Sequence, residues 1–324
     1  MPDRGGVLES VLAPTRWAGW TRAAIAGDAS ARRYFRLSNG AQTTIVMDAP
    51  PNICTDTGQF VMIAEILRDH GFSAPAIHHC DLASGFIVLS DLGTTDFAAH
   101  LRANPSDEDI LYSAATDLLI SLQDLPPPSG LIHLTPQHGA KMLDVLGAFY
   151  VQGNIKNLQE ALEENLSRFA PDADTLALRD FHAENLIWRP DHTGHERVGL
   201  LDFQDAFVAP AGYDLVSLLR DARRDVSPQC AEAMIARFLA ASDKSEDAMR
   251  SQLAVLGVQR NLRILGVFAK LAKLSGKTRY LQFMDRVWGH VLTDLADVAL
   301  SDLRNAVLDT VPPPKDAHLK RIIR

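Results

Sequence analysis

The chain has 324 residues, of which 47% are hydrophobic and 22% are charged, a composition typical of a globular protein with a sizeable core. Its formal net charge of −8 argues against a broad surface for nucleic acids. Its three cysteines lack C-x-x-C spacing, and it has neither an N-terminal signal segment nor an 18-residue apolar run. We therefore expect a cytoplasmic protein with no disulfide framework, no zinc site, no membrane contact and no obligate protein partner.

The first part of the chain is predicted to form short strands around a loop of small residues. Residues 21–47 contain three strands, with this loop after the first strand and an Asn-Gly hairpin turn after the second. Gly27, Ala29 and Ser30 of the loop leave backbone amides unobstructed, so they could approach phosphate oxygens closely, as the glycine-rich loop of kinases does. An ordinary hairpin loop is the alternative interpretation.

An amphipathic helix is predicted over residues 56–71, because apolar residues recur at helical spacing and a glycine ends the pattern. Glu65 lies on this helix, where kinases carry the glutamate that steadies a phosphate-binding basic residue; a solvated glutamate is the alternative. A later hairpin runs into Ser90, Asp91 and Leu92. This hinge-like segment could offer the backbone donor and acceptor that the edge of adenine needs.

After Gly93 the hydrophobic pattern changes from strands to helices. A helix with an acidic first turn is predicted over residues 106–125. A longer helical pattern covers residues 246–274, and we expect a break in it near Gly257 or Gly266. The sequence therefore predicts an α+β protein in which strands come first and helices follow.

Residues 176–205 carry the groups on which the functional prediction depends. Phosphoryl transfer from ATP needs one carboxylate that orients the attacking hydroxyl and accepts its proton, together with two oxygen ligands for Mg²⁺. Asp180, Asn185 and Asp202 supply these groups in this order. A polar turn at residues 191–197 separates two apolar runs, so a short hairpin would bring both metal ligands to the same end of a sheet. In the alternative interpretation, Asp180 is a turn residue and Asn185 is a helix cap.

With these features in the order found in kinases, the sequence resembles the aminoglycoside phosphotransferase family over about residues 20–240. The resemblance rests on five segments, which read GDASARRYFRL, VLSDLG, LRDFHAEN, GLLDFQD and GYDLVSLLRD. It implies a protein-kinase-like, two-lobe α+β fold with ATP and Mg²⁺ as cofactors. Residues 1–92 would form the nucleotide-binding lobe, an antiparallel sheet with one long helix. Residues 93–324 would form a mostly helical lobe with the catalytic loop and the acceptor site.

Within this family, the sequence is most similar to bacterial kinases that phosphorylate the anomeric C1 hydroxyl of N-acetylmuramate and N-acetylglucosamine in cell-wall sugar recycling. This similarity implies a small amino sugar as the substrate. The candidate acceptor-site residues are those beside the motifs, namely His182, Glu184, Asp205 and Arg220. The planar fork of an arginine suits the lactyl carboxylate of N-acetylmuramate. Asp214, at the start of the next helix, is predicted to brace the catalytic loop.

The end of the third strand departs from the kinase pattern. Asp48 stands where kinases usually have a lysine for the α and β phosphates, and no lysine precedes Lys141. Either Asp48 points away from the phosphates or an arginine of the second strand replaces the lysine. Arg32 and Arg36 share one face of that strand, and Arg33, the predicted ATP contact, lies on the other. Two alternatives stay open: an inactive nucleotide-binding module, and a kinase of an aminoglycoside, choline or amino acid.

Overall fold

The structure, a computed structural model, describes residues 4–25 and 31–323 of the chain. The predicted loop residues Gly27, Ala29 and Ser30 lie outside these ranges. The described residues form nine β-strands, which are β1 (Thr21–Ile25), β2 (Arg33–Asn39), β3 (Gln42–Asp48), β4 (Ile77–Asp81), β5 (Phe86–Ser90), β6 (Thr175–Ala177), β7 (Leu186–Trp188), β8 (Val198–Leu200) and β9 (Phe207–Ala209). They also form twelve α-helices, which are α1 (Arg4–Leu12), α2 (Thr57–Asp69), α3 (Phe97–Ala103), α4 (Glu108–Leu122), α5 (Pro136–Lys141), α6 (Lys156–Phe169), α7 (Tyr213–Leu219), α8 (Pro228–Ala240), α9 (Glu246–Ser275), α10 (Met284–Asp294), α11 (Ser301–Thr310) and α12 (Asp316–Ile322).

The first five strands form one antiparallel sheet in the order β1-β2-β3-β5-β4. The predicted Asn-Gly turn joins β2 to β3, with Gly40 at a φ of 60°, a conformation that glycine adopts without steric penalty. Leu37, Val46 and Val88 point to one side of the sheet and belong to a buried cluster. Leu8 of α1 belongs to the same cluster, so α1 covers this face of the sheet.

The predicted amphipathic helix at residues 56–71 is confirmed as α2. Phe60, Ile63 and Leu67 are buried along one stripe of this helix, at the three- and four-residue spacing that places side chains on one face. Gly71 follows the helix with a φ of 81°, which is the role expected of a glycine at a helix end.

Contacts within the chain divide it into two compact units. Unit 1 comprises Met1–Pro105 and Glu184–Asp205, and unit 2 comprises Ser106–Ala183 and Ala206–Arg324. The hairpin of β7 and β8 groups with unit 1 because Trp188 N–H donates to the carbonyl of Thr95 at 2.9 Å and the Trp188 ring meets Phe97 edge-on. This division differs from the predicted boundary between residues 92 and 93, and the predicted lobes stay a prediction.

Unit 2 is mostly helical, and α9 is buried along much of its length. The predicted break in this helix is wrong, because α9 runs continuously from Glu246 to Ser275. Both glycines serve close packing. A β-carbon on Gly266 would lie 2.5 Å from the backbone nitrogen of Leu146, and one on Gly257 would collide with the carboxylate of Asp294. Whether these glycines break the helix or allow close packing therefore depends on neighbours that are remote in the sequence.

The prediction of an α+β protein, with an antiparallel sheet first and helices after it, is confirmed. Among residues 4–25 and 31–323, no helix combines the length and apolar character needed to span a bilayer.

Candidate active site

Side-chain hydrogen bonds hold the loop of unit 2 that carries Asp180. The buried carboxylate of Asp214 accepts hydrogen bonds from the backbone N–H groups of Leu178, at 2.5 Å, and Arg179, at 2.9 Å. Ser217 Oγ donates to the carbonyl of Arg179 at 3.2 Å. The prediction that Asp214 braces this loop is confirmed, and the loop conformation is tied to the first turn of α7.

The backbone at Arg179 adopts a strained turn. Its φ is 75°, and Asp180 N–H donates to the carbonyl of Leu178 at 2.9 Å, which together make a γ-turn with positive φ. Such a conformation costs on the order of 1–3 kcal/mol for a residue other than glycine. The charge-assisted hydrogen bonds to Asp214 offset that cost. The direction of the Asp180 side chain is therefore fixed by the backbone before it.

The carboxyl group of Asp214, which braces the loop, has an unusually high pKa. Burial raises the pKa of Asp214 to about 7, although hydrogen bonds from Leu178 and Arg179 and the charge of Arg260 act to lower it. Its two hydrogen bonds from N–H groups require acceptor oxygens, so they favour the ionised form.

In unit 1, the β7–β8 hairpin places Asn185 and Asp202 at one end. Leu186 pairs with Leu200, and Leu201 N–H donates to the carbonyl of Asn185 at 3.0 Å, so the ladder extends one step beyond the strands. Asp202 follows directly. The predicted hairpin is confirmed, and it brings two oxygen-bearing side chains to the same end of the strands.

The segment after Asp202 is anchored on α2. Asp202 has a φ of 59°, in the left-handed region, and its Oδ1 accepts a hydrogen bond from Gln204 Nε2 at 3.0 Å. The ring of Phe203 stacks on Phe60 of α2 with 5.0 Å between centroids and 4° between planes. Gln59 Nε2, also on α2, donates to the carbonyl of Gln204 at 2.7 Å. A strained residue held on both sides is a frequent feature of functional sites.

Asp48 lies on the α1 face of the sheet. Its carboxylate, 1% exposed, accepts hydrogen bonds from Arg4 of α1 and from Arg33, whose Nε and Nη2 lie 3.1 and 2.5 Å from Oδ2. Two guanidinium groups therefore neutralise Asp48 on that face. Of the two alternatives for the third strand, these contacts favour the one in which Asp48 points away from bound phosphates. The assignment of Arg33 to ATP stays a prediction, and its contacts with Asp48 do not support it.

The opposite face of the sheet carries a different arginine. Tyr34 pairs with Met47 on this face, and burial raises the pKa of Tyr34, an effect to which the charge of Asp202 adds. Arg32 precedes Tyr34 by two residues, is 6% exposed and forms an ion pair with Asp56, with 2.5 Å between Nη2 and Oδ2. Of the two arginines on this face, Arg36 pairs with Asp91, and Arg32, whose acidic partner is Asp56, lies near Tyr34.

The acidic partner of Arg32 is thus Asp56 and not Glu65. Glu65 is exposed on α2, and with burial and Asp81 it helps to raise the pKa of Cys80 on β4. The side of α2 that carries Glu65 therefore faces Cys80 and solvent. Its predicted role in ATP binding stays a prediction.

The predicted hinge is fixed by its own side chains. The carboxylate of Asp91 accepts hydrogen bonds from Arg36 at 2.6 and 3.0 Å and from the N–H of Gly93 at 3.1 Å. Ser90 Oγ accepts one from the N–H of Ala76 at 2.8 Å. The backbone around Leu92 is therefore held in place by ion pairing and by the sheet. The roles of these hinge residues with adenine stay a prediction.

A model of the phosphotransferase enzyme family matches residues 21–255, which is more than two thirds of the chain. The chain belongs to this family.

Curated relatives of this phosphotransferase cover nearly its whole length. An N-acetylmuramate/N-acetylglucosamine kinase of Caulobacter vibrioides is 36% identical, in an alignment that covers 93% of this chain and 95% of the relative. A protein of the same name from Pseudomonas aeruginosa is 31% identical and covers 83% and 82% of the two chains.

Solved structures share the fold at much lower identity. A microcompartment-associated aminopropanol kinase has a TM-score of 0.64 and 13% identity, and the match covers 92% of this chain and 98% of the other. The structure of LicA in complex with AMP gives a TM-score of 0.59 and 14% identity, with coverage of 92% and 98%. These similarities confirm the predicted protein-kinase-like fold.

The residues predicted for the acceptor site fall in both units of this phosphotransferase. His182, in unit 2, is buried, and burial lowers the pKa of its imidazole well below the usual value, with the charges of Arg223 and Arg260 adding to this. Arg223 Nη1 lies 3.3 Å from His182 Nε2. Glu184 and Asp205 belong to unit 1 and are exposed. Their acceptor roles stay a prediction.

Arg220 forms its ion pair with a residue of α10 rather than with the loop that carries Asp180. It forms an ion pair with Asp294 of α10, in which Nε and Nη2 each lie 2.9 Å from Oδ1. Burial raises the pKa of Asp294 to about 6, and Arg220 opposes that rise. Removal of Arg220 would leave a buried carboxyl group without its partner. The proposed contact of Arg220 with a substrate carboxylate stays a prediction that this pairing does not support.

Two arginines near Asp180 were not among the predicted residues. Arg260 and Arg263 lie on α9, and their charges act on groups of the Asp180 loop and α7. The only signal for them in the sequence is a pair of charges three residues apart in an apolar helical pattern. Many solvated helix faces carry the same signal.

Proposed function

We propose that this protein is an ATP-dependent kinase that phosphorylates the anomeric C1 hydroxyl of N-acetylmuramate and N-acetylglucosamine. The observation that carries the proposal is the 36% identity, over 93% of this chain, to a relative with that named activity. A solved neighbour holds AMP, which supports the use of an adenine nucleotide. We place the enzyme in the cytoplasm, where ATP is available, and in the recycling of cell-wall sugars.

In this proposal Asp180 is the general base. Its carboxylate orients the C1 hydroxyl and accepts its proton while the sugar oxygen forms a bond to the γ-phosphorus and the bond to the β-phosphate oxygen breaks. ADP leaves with that electron pair. The γ-turn at Arg179 supports this role because it fixes the direction of the side chain that follows.

Asn185 and Asp202 are the proposed ligands of Mg²⁺. One carboxamide oxygen and one carboxylate oxygen at the same hairpin end suit a hard cation that also binds phosphate oxygens. When bound, Mg²⁺ would neutralise charge that develops on the transferred phosphoryl group. Asp202 is the stronger proposed ligand because it carries a charge.

Arg32 is proposed to take the place of the kinase lysine at the α and β phosphates. It lies on the sheet face near Asp202, and Asp56 holds its guanidinium. Gly27, Ala29 and Ser30 would offer backbone amides to the phosphates, and the hinge at residues 90–92 would bind adenine. Arg32 would thus bind the phosphates as the lysine does in other kinases, and Asp56 would hold Arg32 in place as the glutamate holds that lysine.

The test is to incubate the protein with Mg-ATP and each of four acceptor classes: the two N-acetylated sugars, aminoglycosides, choline and amino acids. ADP release and the position of the new phosphate would be measured. We expect a 1-phosphate of each sugar and no turnover of the other acceptors. Turnover of a different alcohol would replace the substrate assignment, and absence of ADP release with every acceptor would contradict kinase activity.

A further inference from the structure

Two arginines one turn apart on α9, one buried and one half-buried, have fewer hydrogen-bonding or ion-pair partners than cations in such places normally have. Arg260 is only 7% exposed, and its Nη1 has no hydrogen-bond partner. Arg263, three residues later and half-buried, forms no ion pair with any residue in the ranges 4–25 and 31–323. A buried guanidinium without a hydrogen-bonding partner is costly. An anion that binds there would remove this cost.

Arg263 lies within electrostatic reach of the catalytic loop. Burial lowers the pKa of Arg263, the charge of Arg179 lowers it further, and the charges of Tyr213 and Asp180 oppose this. Residues three apart on a helix share one face, so Arg260 and Arg263 point to the same side of α9. These three arginines, Arg179, Arg260 and Arg263, are called the arginine group below.

Aromatic residues and α5 surround the arginine group. The guanidinium of Arg179 lies 5.4 Å from the ring centre of Phe207, and Phe207 meets Tyr213 edge-on at 4.9 Å. On α5, burial lowers the pKa of His138, and the charges of Arg179, Lys141 and Arg263 add to this. The catalytic loop, α5, the start of α7 and the middle of α9 therefore meet around these side chains, all within unit 2.

Cationic side chains are concentrated near Asp180. The arginine group carries three positive charges, and the carboxyl groups that interact with it include Asp180, Asp214 and Asp221. The protein as a whole has a net charge of −8, so this cationic site is a local exception. It would attract an anionic acceptor and repel a cationic one such as an aminoglycoside or choline.

We propose that Arg263 and Arg260, together with Arg179, bind the lactyl carboxylate of N-acetylmuramate and so position its C1 hydroxyl at Asp180. The inference rests on the proposed function. Arginine can hold both oxygens of a carboxylate in its planar fork, and the bond is stronger where water is excluded. N-acetylglucosamine lacks this carboxylate and would occupy the same site without the ion pair. Arg263 is the principal contact because it is less buried than Arg260.

The first experiment compares both sugars on Arg263→Gln. Loss of hydrogen bonds between charged groups should lower kcat/KM for N-acetylmuramate by about 10- to 100-fold, mainly through KM. The value for N-acetylglucosamine should change by less than about 3-fold, since this sugar has no carboxylate for Arg263 to bind. Arg263→Lys keeps the charge without the fork and should give an intermediate loss for N-acetylmuramate alone.

Arg250→Gln is the matched control, because it is the same substitution on the same helix at a residue paired with Glu246 and Glu232. It should change neither sugar's kinetics selectively. Arg260→Gln tests the buried member, and its thermal unfolding would show whether the variant is folded. If Arg260→Gln is unfolded, the Arg263→Gln and Arg263→Lys variants alone test whether the arginine group binds the lactyl carboxylate.

A neutral substrate analogue gives a second, independent measurement. The methyl ester of N-acetylmuramate should be a poorer substrate than the acid for the unmodified enzyme, by about the same factor as the Arg263→Gln loss. For Arg263→Gln the acid and the ester should be nearly equal. Equal loss of both sugars in Arg263→Gln, or an undiminished preference for the acid over the ester, would overturn the inference while the proposed function stands. If the unmodified protein phosphorylates neither sugar, the proposed function fails first.

Discussion

At the scale of single residues, both proposed sites of chemistry depend on strained backbone. Asp180 follows Arg179, whose φ is 75°, and Asp202 itself has a φ of 59°. Each conformation costs on the order of 1–3 kcal/mol and persists only where neighbouring contacts enforce it. Asp214 enforces the first through two hydrogen bonds, and the stacking of Phe203 on α2 supports the second. The functional side chains are therefore oriented before any ligand binds.

Asp180→Asn tests the proposed base. Asparagine keeps the size of the side chain but cannot accept the proton, so turnover should fall by about 100-fold or more while nucleotide binding survives. Steady-state kinetics and calorimetric titration with Mg-ATP would measure the two effects. Asp172→Asn, at an exposed residue of the same unit, is the control for the substitution itself. A fully active Asp180→Asn enzyme would remove the assignment.

Asp202→Asn tests the proposed metal ligand. Asparagine tolerates a positive φ better than alanine, so the backbone should keep its conformation while the charge is lost. Activity should fall by about 100-fold or more, and the gain in nucleotide affinity on addition of Mg²⁺ should disappear. Titration of ADP with and without Mg²⁺ measures this gain. If the gain persists unchanged, the metal binds at other residues.

At the scale of elements, the start of β2 separates two adjacent arginines, Arg32 just before the strand and Arg33 at its first residue. Arg33 pairs with Asp48 on the α1 face, and Arg32 pairs with Asp56 on the face near Asp202. Asp48 keeps a second partner in Arg4, whereas Asp56 supports Arg32 from the start of α2. Two successive residues therefore serve different purposes, Arg33 in the ion pair with Asp48 and Arg32 in the proposed phosphate site.

The substitutions Arg32→Gln and Arg33→Gln form a matched pair. Arg32→Gln should raise KM for ATP by about 10-fold or more, because the charged hydrogen bonds to phosphate are lost. Arg33→Gln should change KM for ATP by less than about 3-fold, because Arg33 is 54% exposed and lies on the other face. Thermal unfolding of both variants would report damage to the fold. The opposite order of the two KM values would restore Arg33 as the ATP contact.

The elements that the sequence predicted well are those whose signals are local. The turn at Gly40, the stripe of α2 and the β7–β8 hairpin follow from spacing within a few residues, and each is found. The sequence could not predict which face of β2 lies toward the proposed nucleotide site, because the alternation of faces depends on the residue at which the strand begins. The role of Gly266 was misread as a break, since Leu146, its partner in space, is remote in the chain. Arg263 was missed for the same reason.

At the scale of the whole molecule, buried carboxyl groups make stability depend on pH. Burial raises the pKa of Asp214 to about 7 and that of Asp294 to about 6. A carboxyl group with a raised pKa binds a proton more tightly in the folded state than in the unfolded state. Its contribution to stability is therefore complete below the unfolded pKa, near 3.9, and is lost as pH rises through the folded pKa.

Asp294→Asn isolates one of these contributions. The variant cannot titrate at residue 294, so the unfolding free energy of the unmodified protein relative to the variant should fall as pH rises from about 4 to about 6. The expected fall is on the order of 1–3 kcal/mol. Urea unfolding of both proteins across this pH range would measure it. A difference between the two proteins that does not change with pH would contradict the expectation.

The two close contacts of α9 make the helix sensitive to the insertion or deletion of a residue between them. Gly257 is matched to Asp294 and Gly266 to Leu146, and Arg260 and Arg263 lie between these two fixed points. One residue added or removed between the glycines would rotate one contact by about 100° relative to the other, because a helix turns once in 3.6 residues. The two contacts could then not both be kept. The segment between the two glycines should thus tolerate neither insertion nor deletion, whereas the exposed end near Leu274 should tolerate both.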